Sequence, residues 1–89
     1  MTLEEKIEQI KEIAEETIIL RNPDYADALV GMAAGEDRVV YDYGKMIKYL
    51  MKKDGMTPEE AADFIMYNTL RSLPYMGDKA PIIMMPMEC

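Results

Sequence analysis

The string Thr57-Pro58-Glu59-Glu60 constrains this chain most, because it sets where a helix begins and what opens it. The Thr57 hydroxyl can accept from the amide three residues on, while Glu60 reaches back to the Thr57 amide. Pro58 sits at the first helical position with its φ already set, and two carboxylates stand at the positive end of the helix dipole. At about 100° per residue, Ala61, Ala62, Ile65, Met66, Thr69 and Leu73 share one face, the expected core side. Glu60, Asp63, Phe64, Tyr67 and Arg71 take the opposite side, with Tyr67 and Arg71 stacked at i, i+4. Pro74 ends the helix, since it disfavours a helical Leu73 and lacks an amide donor.

The rest of the chain is organised around that segment. Thr2 and Glu5 form a second capping box, and a helix is expected over residues 3–20. Its seam is Leu3, Ile7, Ile10, Ala14 and Thr17, reinforced by Ile13 and Ile18, while Glu4, Glu8, Glu12, Glu15 and Glu16 cover the outside. That seam is too short for a convincing coiled coil and is better suited to a sheet. Arg21-Asn22-Pro23-Asp24 is turn chemistry. Residues 25–33 then read as a strand with Ala26, Ala28, Val30 and Met32 on one face. A polar turn around Gly35 joins it to a second strand over 38–41, so residues 26–33 and 38–41 should pair antiparallel. Asp42 can cap a helix that buries Tyr43, Met46, Ile47 and Leu50 and stops at Asp54-Gly55. Residues 75–79 read as a loop, and Pro81 and Pro86 flank a short apolar run at 82–85, a third strand of the same sheet. The expectation is an α+β fold in one small domain spanning residues 1–89. Its order is α-β-β-α-α-β, with a three-stranded sheet and helices mainly on one face. Among ten methionines, Met46, Met66, Met84 and Met85 read as core filler, and Met51, Met76 and Met87 as candidates for an adaptable surface.

Composition narrows the chemistry. Histidine is absent and the one cysteine, Cys89, is terminal, so a general base near neutral pH and an activated thiolate are both missing. An intrachain disulfide and a Cys/His zinc site are excluded, and Gly31, Gly35 and Gly44 do not match a phosphate-binding loop. Pairs such as Glu59 with Asp63, or Glu12 with Glu16, could hold a cation or act as acid and base. At helical spacing they read as solvated surface acids. The expectation is a protein without catalysis, cofactor or metal. No leader and no membrane span is expected, and the cysteine usage suits a reducing cytoplasm. A net charge of −7 disfavours direct contact with nucleic acid and favours attraction to a basic surface. Against that background, residues 38–53 hold five cations and one acid, a local +4.

Val40-Tyr41-Asp42-Tyr43-Gly44-Lys45-Met46 resembles a pattern in a family of small uncharacterised accessory proteins encoded by phages and prophages. So do Tyr67-Asn68-Thr69-Leu70-Arg71 and the following run from Leu73-Pro74-Tyr75-Met76 through Gly77-Asp78-Lys79-Ala80-Pro81-Ile82. The resemblance covers about residues 25–85. It implies a compact protein in a bacterial host cell that binds and redirects a host component, a defence or nucleic-acid-processing factor among the candidates. From the residues themselves, Phe64, Tyr67, Arg71 and Tyr75 make a candidate partner-binding strip, since aromatics beside arginine are enriched at interfaces, unless another element such as the first helix covers the aromatics. The partner would be a host protein with a basic surface or a second copy of this chain. An alternative reading is a small-molecule-binding or sequestering oligomer. In it, Asn68, Arg71 and Lys79 take an anion, unless Asn68 and Arg71 merely tie the 75–79 loop to the helix end.

Overall fold

All three helix starts are realised. In the computed structural model, which describes residues 2–14, 16–21 and 23–87, Thr2 and Thr57 each close a reciprocal box with Glu5 and Glu60. Asp42 Oδ1 accepts from the Lys45 amide at 3.0 Å. These caps open helix α1 (Leu3–Ile13), helix α2 (Tyr43–Asp54) and helix α3 (Pro58–Phe64). α2 stops at Gly55, whose φ of 68° is left-handed and would strain any side chain there. Among the described residues, no helix is long and apolar enough to cross a membrane.

Strands β1 (Leu29–Met32), β2 (Val39–Asp42) and β3 (Ile82–Met84) form one sheet in the order β1-β2-β3. β1 and β2 are the expected antiparallel hairpin, and β3 lies parallel to β2 on its other side. A parallel neighbour needs a crossover, and α2 and α3 are carried in it. The chain is therefore α+β, in the expected order. Val39 and Tyr41 of β2 are fully buried and Leu29 of β1 nearly so, in one core with Tyr25, Met46, Leu50, Ala61 and Ile65.

Three expectations are corrected. α1 ends at Ile13, with Ala14 already extended, and residues 17–20 are not helical. Thr17, Ile18 and Ile19 are β-branched and prefer extended backbone, and acids near a helix C-terminus oppose its dipole. The hairpin takes this segment instead: Thr17 Oγ1 donates to Asp37 O at 2.8 Å, and the Leu20 amide donates to Tyr41 Oη at 3.0 Å. β1 is shorter than residues 25–33, because Ala26–Ala28 form a 3-10 turn. Its register also slips between Leu29 and Gly31, leaving Val30 as the extra residue of a bulge. Leu29 therefore faces the core and Val30, expected on one face with Ala28, is exposed while Ala28 is buried. Of the four methionines read as core, only Met46 is buried. Met66, Met84 and Met85 are exposed, the last two at a sheet edge. Glu15, expected on the outer face of the first helix, Asn22, expected in the turn, and the Cys89 thiol lie outside the described residues.

Lys6, surrounded by acids in the sequence, ties α1 to the sheet by donating to Ala26 O and Leu29 O at 2.8 and 2.9 Å. Arg38 similarly fastens the approach to β3, its Nε donating to Ala80 O at 2.7 Å.

Candidate functional site

The helix begun at Thr57 does not run in α form to Leu73. From Ile65 to Leu70 it widens into a π-helix, and the Arg71 amide donates to Met66 O, five residues back, at 3.2 Å. Such widening is rare and often accompanies function. It also changes which residues share a face. Ile65 and Thr69 stay buried, but Met66, expected beside them, is 50% exposed. Phe64, expected on the outer side, is half-buried and packs against the core cluster. Side chains on this segment satisfy its own backbone. Asn68 Nδ2 donates to Phe64 O at 3.0 Å, and Ser72 Oγ reaches Asn68 O and Thr69 O at 3.0 and 2.8 Å.

Beyond it, the expected 75–79 loop is a 3-10 segment (Leu73–Lys79) broken at Gly77, where φ is 80°. Three of the four residues read as a partner-binding strip stand on the outside of this irregular stretch. Tyr67 is 62% exposed, the Arg71 guanidinium lies 5.7 Å from its ring centroid, and Tyr75 is 91% exposed. The cation over the ring face orders both side chains without burying either. Phe64 does not belong to the strip, because in the regular turn of α3 it sits at the edge of the buried face carried by Ala61 and Ile65 and packs against the core.

The expected anion site of Asn68, Arg71 and Lys79 is not assembled. Arg71 lies on Tyr67. Lys79 Nζ is 3.0 Å from Asp37 Oδ2 at the hairpin turn, a carboxylate that raises the lysine's pKa. Asn68 bonds its own helix rather than the following segment, and with Thr69, Ser72 and Met76 it lines an open concavity of about 300 Å³. The opposite wall is Ile18, Leu20, Arg21 and Tyr25.

Tyr25 is the residue that sequence reasoning missed. It has left-handed backbone (φ 46°, ψ 44°), a conformation that costs a bulky residue free energy. Its ring is fully buried, edge-on to Tyr41 with centroids 6.5 Å apart and tilted against Tyr49 at 5.6 Å. Burial raises the phenol's pKa, partly offset by the Thr69 hydroxyl, and among the described residues no hydrogen bond of good geometry satisfies Tyr25 Oη. The signal available was the preceding Pro23-Asp24: Asp24 Oδ1 accepts from the Ala26 amide at 3.2 Å, a side-chain turn that brackets Tyr25.

Among the described residues, no three His, Cys, Asp or Glu side chains converge to hold a metal ion. The arrangement offers exposed aromatic surface and open concavities. No protein-family model, curated protein or solved structure matches the chain.

Proposed function

We propose that this is a non-catalytic interaction protein that docks on a partner protein through Tyr67, Arg71 and Tyr75. The observation that carries the reading is the pair of exposed tyrosines, one stacked with arginine, on a π and 3-10 stretch whose backbone is satisfied by its own side chains. Interfaces are enriched in these residue types, and a pre-ordered anchor loses less entropy on binding. The resemblance to phage and prophage accessory proteins supports, as the partner, a host protein in the bacterial cytoplasm, bound so as to inhibit it. The exposed acids Glu4, Glu8 and Glu12 on α1 and the net charge of −7 favour one with a basic surface.

Capture from a bacterial host lysate, with identification and titration of the bound protein, tests this. The expected result is a stoichiometric partner whose association weakens with salt and is lost in Tyr67→Ala/Tyr75→Ala, with the melting temperature unchanged. A partner retained by the double variant would overturn the assignment.

The second reading, small-molecule capture, draws on the open concavity lined by Asn68, Thr69, Ser72 and Met76 on one side and Ile18, Leu20 and Arg21 on the other. A metabolite that co-purifies with the protein and is lost in Asn68→Ala would favour it.

A further inference from the structure

Four of the chain's ten cations stand on one exposed face of α2. Lys45, Lys48, Lys52 and Lys53 line an open cleft of about 540 Å³ with Tyr49 and a single carboxylate, Asp27. That volume suits a compact ligand, for which sites of roughly 300–1,000 Å³ are usual. None of the four is neutralised: among the described residues the ion pairs are Arg38–Glu36 and Lys79–Asp37. Asp24, the acid linked to Lys53 through Tyr49, is already engaged. Lys53 Nζ donates to Tyr49 Oη at 2.9 Å, and Tyr49 Oη donates to Asp24 Oδ1 at 2.8 Å. Asp24 Oδ1 also accepts the Ala26 amide. Tyr49 thus spends its proton on Asp24 and holds Lys53 at the rim with its ammonium free to make further bonds.

A solvated helix face accounts for only half of this. Lys52 and Lys53 are in the last turn of α2, where the helix dipole favours cations. Lys45 is in the first turn, where the dipole opposes it, and its spacing to Lys48, like that of Lys48 to Lys52, sets like charges side by side. An anion lying along the cleft would remove that repulsion. From Lys45 to Lys52 the helix rises about 10 Å, which is room for two or three phosphoryl groups rather than one. The remaining acids of the chain weaken such binding little where they lie beyond about 8 Å, the screening length at physiological salt.

We propose that this cleft binds a polyphosphorylated anion, each phosphoryl group bridging neighbouring lysines, with Lys53 presented by Tyr49. The site is separate from the tyrosine strip and independent of what docks there. The ligand chemistry is shared by free polyphosphate-bearing metabolites and by the head groups of phosphorylated inositol lipids.

Tripolyphosphate is the probe, titrated calorimetrically and by amide NMR into the full chain. Saturable one-to-one binding is expected, with shifts concentrated on α2 and affinity falling as salt rises. Lys48→Gln/Lys52→Gln should weaken it by about tenfold or more, a loss in the range of charge-assisted contacts. Lys11→Gln/Lys79→Gln, which changes net charge equally, should weaken it by less than about twofold. Vesicles of phosphatidylcholine with and without phosphatidylinositol bisphosphate separate the sources. Recruitment lost in Lys48→Gln/Lys52→Gln assigns the head group, and binding of tripolyphosphate alone assigns the free anion. Absence of saturation, equal loss in both double variants, or NMR shifts away from α2 would each overturn the site. So would self-association that depends on Lys48 and Lys52 without tripolyphosphate binding, since the face would then belong to a second copy.

Discussion

α2 and α3 both start from a side-chain cap and bury side chains in the same core, yet they end differently. α2 keeps α geometry for 12 residues to a glycine stop, whereas α3 keeps it for seven before widening. The difference lies in the faces they bury. α2 offers Met46 and Leu50 one turn apart, with Tyr43 and Ile47 at the margins. α3 and its widened continuation offer Ala61, then Ile65, then Thr69, a thin face whose spacing of four drifts around a regular helix. Widening the turn holds Ile65 and Thr69 together and brings Leu70 to the core margin. A cap is decided by a few adjacent residues; the course of the helix beyond it is decided by the side chains that must be buried.

The largest effects should fall on the core residues of both helices. Leu50→Ala and Ile65→Ala are each expected to cost about 2–5 kcal/mol in denaturant unfolding. Met66→Ala, which a regular helix would place beside Ile65, should cost less than about 1 kcal/mol. A Met66 loss equal to that at Ile65 would mean that α3 continues in α form and would end the contrast.

Next come the two buried tyrosines, one tied to each side. Tyr41, on the strand leading into α2, accepts the Leu20 amide, and Tyr25 faces Thr69 of the π segment without a partner. Tyr41→Phe strands a backbone donor and should cost about 1–3 kcal/mol, while Tyr25→Phe should be neutral or stabilising. The pH dependence sharpens this. Burial pushes the Tyr41 phenol up to about 12, outweighing the Leu20 hydrogen bond that lowers it. The folded protein holds that proton more tightly than the unfolded chain. The linked stability is therefore full below the ordinary value of 10.0 and lost as pH rises toward about 12. Alkaline unfolding of Tyr41→Phe should lose that part of the pH response.

Legibility in the sequence depends on range. Thr2, Asp42, Thr57 and Gly55 act within a turn of themselves, so their roles can be read from neighbouring residues. The hairpin was legible from the polar Gly35 turn, but its bulge was not, because Val30 is displaced by pairing with β2 rather than by its neighbours. The end of α1 was only partly legible: the β-branched run at 17–19 is a local signal, but the hydrogen bonds that take up this segment come from Asp37 and Tyr41, both distant in sequence. In the candidate strip, Tyr67 and Arg71 were legible as an i, i+4 pair. Phe64 was misplaced because periodicity cannot distinguish the edge of a buried face from its back. The lysine cluster was visible as local charge, but not the Tyr49–Asp24 bond that orders its rim.

Smaller still are the caps, where the two helices should respond alike. Asp42→Ala and Thr57→Ala each remove one side-chain acceptor from a first turn and should cost about 1 kcal/mol in thermal unfolding. A distinctly larger loss at Thr57 would mean that the reciprocal bond from Glu60 depends on the Thr57 hydroxyl. Glu60 adds a difference in pH response, since hydrogen bonds from the Thr57 backbone and side chain hold its carboxyl below the usual range. Its contribution is present above the ordinary carboxylate value and disappears as pH falls through the lowered one. Thr57→Ala should flatten that acid limb more than Asp42→Ala.

The smallest effect is expected on the outer face of the π segment. Tyr67 buries little, and its contact with Arg71 is solvent-exposed, so Tyr67→Ala should change stability by no more than about 0.5 kcal/mol beyond the loss of that stack. Phe64→Ala, three residues earlier, removes a ring packed against the core cluster and should cost distinctly more. Urea titrations of the two variants side by side give the comparison. If Tyr67 proves the costlier of the two, the widened helix is rotated from the orientation described, and the tyrosine strip is core rather than docking surface. If the order holds, the segment that departs from regular geometry is also the one whose aromatic residue contributes least to folding, which leaves Tyr67 free for a partner.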